Sequence, residues 1–112
     1  MVIRILRSKY DLDTVKSIPL ERISFSKAAD RDRKNLGYTV EDVKNCVESL
    51  QESNFTGQVS FNYGVGDTYL YCNGLEPIDD WSDATYDELY LKFEMLEEET
   101  EIYFWSFHPQ YL

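Results

Sequence analysis

The stretch "LYLKFEMLEEETEIYFWSFH", residues 89–108, decides how this chain folds. Its opening alternates, with Leu91, Phe93 and Met95 on one side and Tyr90, Lys92 and Glu94 on the other. A period of two is the mark of a strand buried on one face. "LEEET" turns the chain, and "EIYFWSFH" (101–108) pairs back as the second arm of a hairpin. Strict alternation in that arm sends Tyr103, Trp105 and Phe107 one way and Ile102, Phe104, Ser106 and His108 the other. Both sets are apolar, so the arm reads as a central strand covered on both sides. Alternation alone leaves open which set shares a face with Tyr90 and Lys92. If it is the set with His108, a Tyr, a Lys and a His converge, and such a trio has acid–base potential.

Upstream, the other elements can be read outward from this hairpin. "QVSFNY" (58–63) alternates Val59, Phe61 and Tyr63 with polar residues, "GVGD" (64–67) supplies a turn, and "TYLYC" (68–72) returns. The Gly-x-Gly is flanked by strands, so it signals a hairpin and not a phosphate cradle. A loop of about sixteen residues, "NGLEPIDDWSDATYDE" (73–88), follows. Its acids are too irregularly spaced for a cation loop and read as solvated. The N-terminal half is helical. "YDLDTVKSI" (10–18) carries Leu12, Val15 and Ile18 at three-residue spacing and is stopped by Pro19. "RISFS" (22–26) is a short strand. Ser26 then caps a helix that Gly37 closes. In "TVEDVKNCVESLQ" (39–51), Thr39 and Asp42 form a capping box, Tyr38 and Val43 a hydrophobic staple, and Val40, Val43, Val47 and Leu50 an apolar stripe. Helices followed by an antiparallel meander give a single α+β domain over residues 1–112, with helices on one sheet face.

The charge is divided as sharply as the structure. Residues 1–58 hold ten Lys and Arg against nine Asp and Glu, net +1; residues 59–112 hold one Lys, Lys92, against twelve acids, net −11. An acidic half repels phosphates and favours a basic partner. No apolar run is long enough to span a bilayer, and the charged "MVIRILRSKY" is no signal peptide, so the expectation is a cytoplasmic protein that does not engage membranes. Cys46 and Cys72 make no metal spacing and are expected to be buried free thiols.

The order of these motifs resembles the MqsR family of ribonuclease toxins. The carriers are "YDLDTVKSI", then "SKAADRDRKNLGYTVEDVKNCVESLQESNF" (26–55), the "YLKF" strand (90–93) and the closing "SFH" (106–108). The resemblance implies a RelE-like α+β fold, metal-independent cleavage of messenger RNA without a cofactor, and a cognate antitoxin as partner. It implies His108 as acid or base, Lys92 as the phosphate cation and Tyr90 as a positioning hydroxyl. His108 stands where the family usually carries a lysine, and a histidine exchanges protons near neutral pH more readily. Lys27, Arg31, Arg33 and Lys34, with Arg4 and Arg7, could supply an RNA-binding patch. Gly57 stands where the family has a lysine, and Thr68 or Ser82 where it has a glutamine. The competing expectation, from charge, is an inactive acidic relative that binds a basic protein as an inhibitor, immunity protein or nucleic-acid mimic.

Overall fold

Leu89, Leu91 and Phe93 are fully buried and Met95 nearly so, whereas Tyr90 and Lys92 between them stay half-exposed. One face of this strand meets the helices and the other does not. The computed structural model describes residues 8–61, 64–75 and 85–110. Their order is α1 (Leu12–Ser17), β1 (Ile23–Phe25), α2 (Lys27–Leu36), α3 (Val40–Ser49), β2 (Phe55–Phe61), β3 (Gly64–Leu75), β4 (Thr85–Leu96) and β5 (Glu101–Pro109), with 3-10 turns at Leu20–Arg22 and Glu52–Asn54. This is the α+β arrangement expected, N-terminal helices against a C-terminal sheet. The sheet runs β1-β5-β4-β3-β2. β2 to β5 are antiparallel neighbours, but β1 joins β5 in parallel, so the sheet is mixed at that edge.

The helices start and stop where their caps dictate. Asp11, Ser26 and Thr39 each accept a hydrogen bond from a backbone N–H of the first turn. Thr39 and Asp42 form the full capping box. Gly37, at φ +82°, closes α2 in the left-handed conformation that glycine adopts without steric cost. Val43, Cys46, Val47 and Leu50 pack onto Tyr69, Leu91, Phe93 and Phe104 in one core. Each such side chain contributes roughly 1.5–3 kcal/mol by leaving water.

Four expectations need correction. "GVGD" is not a turn: Gly64 to Asp67 lie in β3, paired from Phe61↔Gly64 to Gln58↔Asp67. Ladder pairing outweighs the glycine signal there; residues 62–63 lie outside the described residues. The long loop is shorter than read, because residues 73–75 extend β3 and 85–88 extend β4. Cys46 is buried, but Cys72 is exposed, since its place in β3 puts it opposite Glu88 on the face away from the helices. Finally, the faces of β5 do not follow strict alternation. Ile102, Phe104 and Phe107 are the buried set. The register slips between Lys92↔Ser106 and Phe93↔Phe104, leaving Trp105 as an extra residue in β5. A β-bulge of this kind places two residues against one and reverses the side-chain parity beyond it.

Two features store cost. Asp67 is fully buried on the helix side, where its two carboxylate oxygens accept the backbone N–H groups of Lys9 (2.7 Å) and Tyr10 (3.0 Å). Burial pushes its carboxyl above the ordinary value of 3.8, against the opposing pull of those two hydrogen bonds. The β4–β5 turn holds Glu97, Glu98 and Glu99 at φ +52°, +56° and +65°. For residues with a Cβ that conformation costs about 1–2 kcal/mol each.

Both give predictions. A raised folded-state value means that the native state binds the Asp67 proton more tightly than the unfolded chain does. Stability from this group is therefore gained as pH falls toward 3.8 and lost as pH rises through the folded value. In denaturant titrations the stability difference between wild type and Asp67→Asn should move in favour of wild type as pH is lowered toward 3.8; a difference flat with pH would refute the assignment. Glu98→Gly should raise stability by about 1 kcal/mol, the relieved strain less the added freedom of the unfolded chain. A loss in thermal denaturation would contradict it.

Candidate functional site

The bulge in β5 decides where His108 goes. Without it, His108 would share parity with Ile102 and Phe104 and enter the helix side. With it, His108 lies on the outer face, directly opposite Tyr90 in the β4–β5 ladder. The two rings stack at 5.2 Å between centroids and 29° between planes. Lys92 is one ladder pair further along the same face, opposite Ser106. A diagonal neighbour in an antiparallel pair is about 7–8 Å away, within reach of a lysine side chain. The structure thus brings Tyr90, Lys92 and His108 onto one face.

The bulge is held from α2. Ser26 donates its hydroxyl hydrogen to the Trp105 carbonyl at 3.0 Å and accepts the Ala29 N–H at 3.1 Å. Its own N–H reaches the Phe104 carbonyl at 2.9 Å. One residue therefore ends β1, starts α2 and satisfies the carbonyl that the bulge removes from the ladder.

The donor and acceptor roles follow from the partners. His108 Nδ1 lies 2.8 Å from the Pro109 carbonyl oxygen. A carbonyl can only accept, so Nδ1 is the donor in this contact, and in the tautomer with a single ring hydrogen the lone pair falls on Nε2. Burial raises the Tyr90 hydroxyl above its ordinary value of 10.0, so it stays a protonated donor at neutral pH. His108 and Pro109 border a cleft of about 370 Å³ shared with Asp32, Asn35 and Leu36 of α2.

The row through Lys92 crosses four strands: Gly57 on β2, Thr68 on β3, Lys92 on β4 and Ser106 on β5. Thr68 is buried; its Oγ1 donates to the Gly57 carbonyl at 2.9 Å and lies 2.7 Å from the Thr56 hydroxyl. Its hydroxyl is thus spent within the sheet.

The basic residues of α2 divide in two. Lys27, Arg31 and Lys34 repeat at i, i+4 and i+7 and form one exposed stripe, with Arg31 near Asp32 (3.3 Å) and Lys34 near Asp30 (3.0 Å). Arg33 turns inward: it pairs with Asp30 at 2.6 Å, donates to the Tyr38 carbonyl at 3.0 Å and lies over the Phe25 ring. Arg4, Arg7 and Ser82 lie outside the described residues. Sequence reading missed the supporting residues, Ser26 as the bulge clamp and Pro109 as the tautomer-setting acceptor. The only sequence signal for Ser26 was its capping role. Among the described residues no helix is long and apolar enough to cross a membrane, and no cluster of three or more His, Cys, Asp or Glu is gathered as a metal site.

Ser26→Ala should destabilise the protein by about 2–3 kcal/mol, combining a lost helix cap with an unsatisfied carbonyl, while Ser26→Thr retains most of it. A loss in Ser26→Ala of under about 0.5 kcal/mol in chemical denaturation would show that the hydroxyl does not hold the bulge. Compared with known proteins, the chain matches no family model and no curated protein.

Proposed function

We propose that this protein is a metal-independent endoribonuclease of the MqsR type, a RelE-like toxin that acts on messenger RNA in the cytoplasm and is neutralised by an antitoxin. The observation that carries the reading is the Tyr90–His108 ring pair with Lys92 one step along the same face. Cleavage by the ribose 2′-hydroxyl needs a base at that hydroxyl and positive charge at the phosphorane. His108 Nε2 takes the 2′-proton. The Lys92 ammonium stabilises the phosphate oxygens, and the Tyr90 hydroxyl holds one of them by a hydrogen bond. The leaving 5′-oxygen collects its proton from water. The Lys27, Arg31 and Lys34 stripe guides the RNA backbone. Gly57 and Thr68, at the family's lysine and glutamine positions, lie in the same row as Lys92. With both polar groups replaced, the reaction rests on fewer groups and should be slow.

A second reading rests on charge. Residues 59–112 carry net −11, and Glu97 to Glu99 stand exposed at the β4–β5 turn. A catalytically silent relative would use this surface to bind a basic protein, with an affinity that falls as salt screens it.

The purified protein should cleave single-stranded RNA in the presence of EDTA, leaving a 2′,3′-cyclic phosphate. His108→Ala should lose about 10²–10⁴-fold in rate with its unfolding midpoint unchanged. Equal rates in wild type and His108→Ala would remove His108 from the mechanism. No cleavage by wild type, together with salt-sensitive capture of a basic protein, would favour the second reading.

A further inference from the structure

Beyond the reacting trio, the outer face of β4 and β5 carries a second aromatic pair. Tyr103 and Trp105 meet edge to face at 4.9 Å between centroids. The indole is fixed from below in sequence by β4: Trp105 donates its Nε1–H to Glu94 Oε1 at 3.2 Å. Glu94 is itself opposite Tyr103 in the ladder and nearly buried. A tryptophan anchored through its N–H keeps a defined ring plane. The bulge is again responsible, because it leaves Trp105 and Ser106 side by side against one residue of β4.

Along the strands the face therefore reads in three steps. Tyr90 with His108 comes first, Lys92 with Ser106 second, and Glu94 with Tyr103 and Trp105 third. Lys92 is the one lysine of residues 59–112, and it falls between the two aromatic pairs. A cation beside the Tyr103–Trp105 pair is the complement of a phosphate beside its base. Lys92 supplies the positive charge that a phosphate needs at this point and a neutral apolar partner does not, and it does so against the acidic charge of the rest of this half.

The geometry points to the Tyr103–Trp105 pair as a base-stacking subsite: with a phosphate at Lys92, the neighbouring nucleobase lies on the indole. The inference rests on the ribonuclease reading and names its substrate as unpaired RNA, because a base within a duplex has both faces covered. Stacking on an aromatic side chain is indifferent to base identity, so this subsite selects for single strands and not for sequence.

The test uses a short single-stranded DNA oligomer, which lacks the 2′-hydroxyl and cannot be cut, the same oligomer with its central bases removed, and its duplex. Wild-type protein should bind the base-bearing single strand roughly 5- to 150-fold more tightly than the abasic one. The preference should vanish in Trp105→Ala and persist in Trp105→Phe, while the duplex should bind no better than the abasic strand. Equal binding of base-bearing and abasic strands by wild type overturns the subsite, and this comparison needs no variant to fold. RNA cleavage is scored separately. Cleavage without base preference removes the subsite and keeps the nuclease; base preference without cleavage keeps the subsite and removes the nuclease; neither cleavage nor binding of any oligomer removes both.

Discussion

The hydrogen bond from Ser26 to the Trp105 carbonyl is the constraint on which the rest of this molecule depends. A bulge takes a backbone carbonyl out of its ladder, and a buried carbonyl without a donor costs about 1–3 kcal/mol. Ser26 supplies that donor while its oxygen caps α2. The bulge then fixes which aromatic side chains of β5 join the core. Ile102, Phe104 and Phe107 go inward, and Phe104 stacks on Phe25 at 5.4 Å between ring centroids. The polar remainder, including His108, goes outward. Helix start, core composition and candidate site are thus three results of one local arrangement.

Much of the fold was legible in the sequence because the signals were local. The Thr39 capping box, the α3 stripe and the β4 alternation each need only a few adjacent residues to be read, and each is present. The bulge was not legible. "FWSF" carries no Gly or Pro to mark it, and its stabilising donor is 79 residues away in sequence. Strict alternation was the reasonable reading of "EIYFWSFH", and it failed at the one step where a distant side chain changed the parity. The candidate site was readable as a set of residue types, but not as a shared face. That sharing depends on the slip between Lys92 and Phe93. "GVGD" misled for the converse reason: its glycines favour a turn locally, yet the whole segment pairs with β2, and Asp67 pairs with β4 as well.

The charge distribution and the outer face pull in opposite directions. Lys92 is surrounded in sequence by carboxylates, and electrostatic attraction supplies most of the affinity of ordinary nucleic-acid binding. Stacking offers an alternative source that salt does not screen. A stacking subsite built from Tyr103 and Trp105 would depend less on ionic strength than a basic groove.

The parallel pairing of β1 with β5 has a consequence for how the chain reaches this state. Ile23 is placed against Ile102, so residues made early wait for partners made last. Synthesis adds about 5–20 residues per second, and closing so long a loop is entropically costly. Through that interval β1 has no strand partner, and Ile102, Phe104 and Phe107 are missing from the core that Val43, Val47 and Leu50 share. The arrival of β5 is therefore the step that completes both the sheet edge and the core.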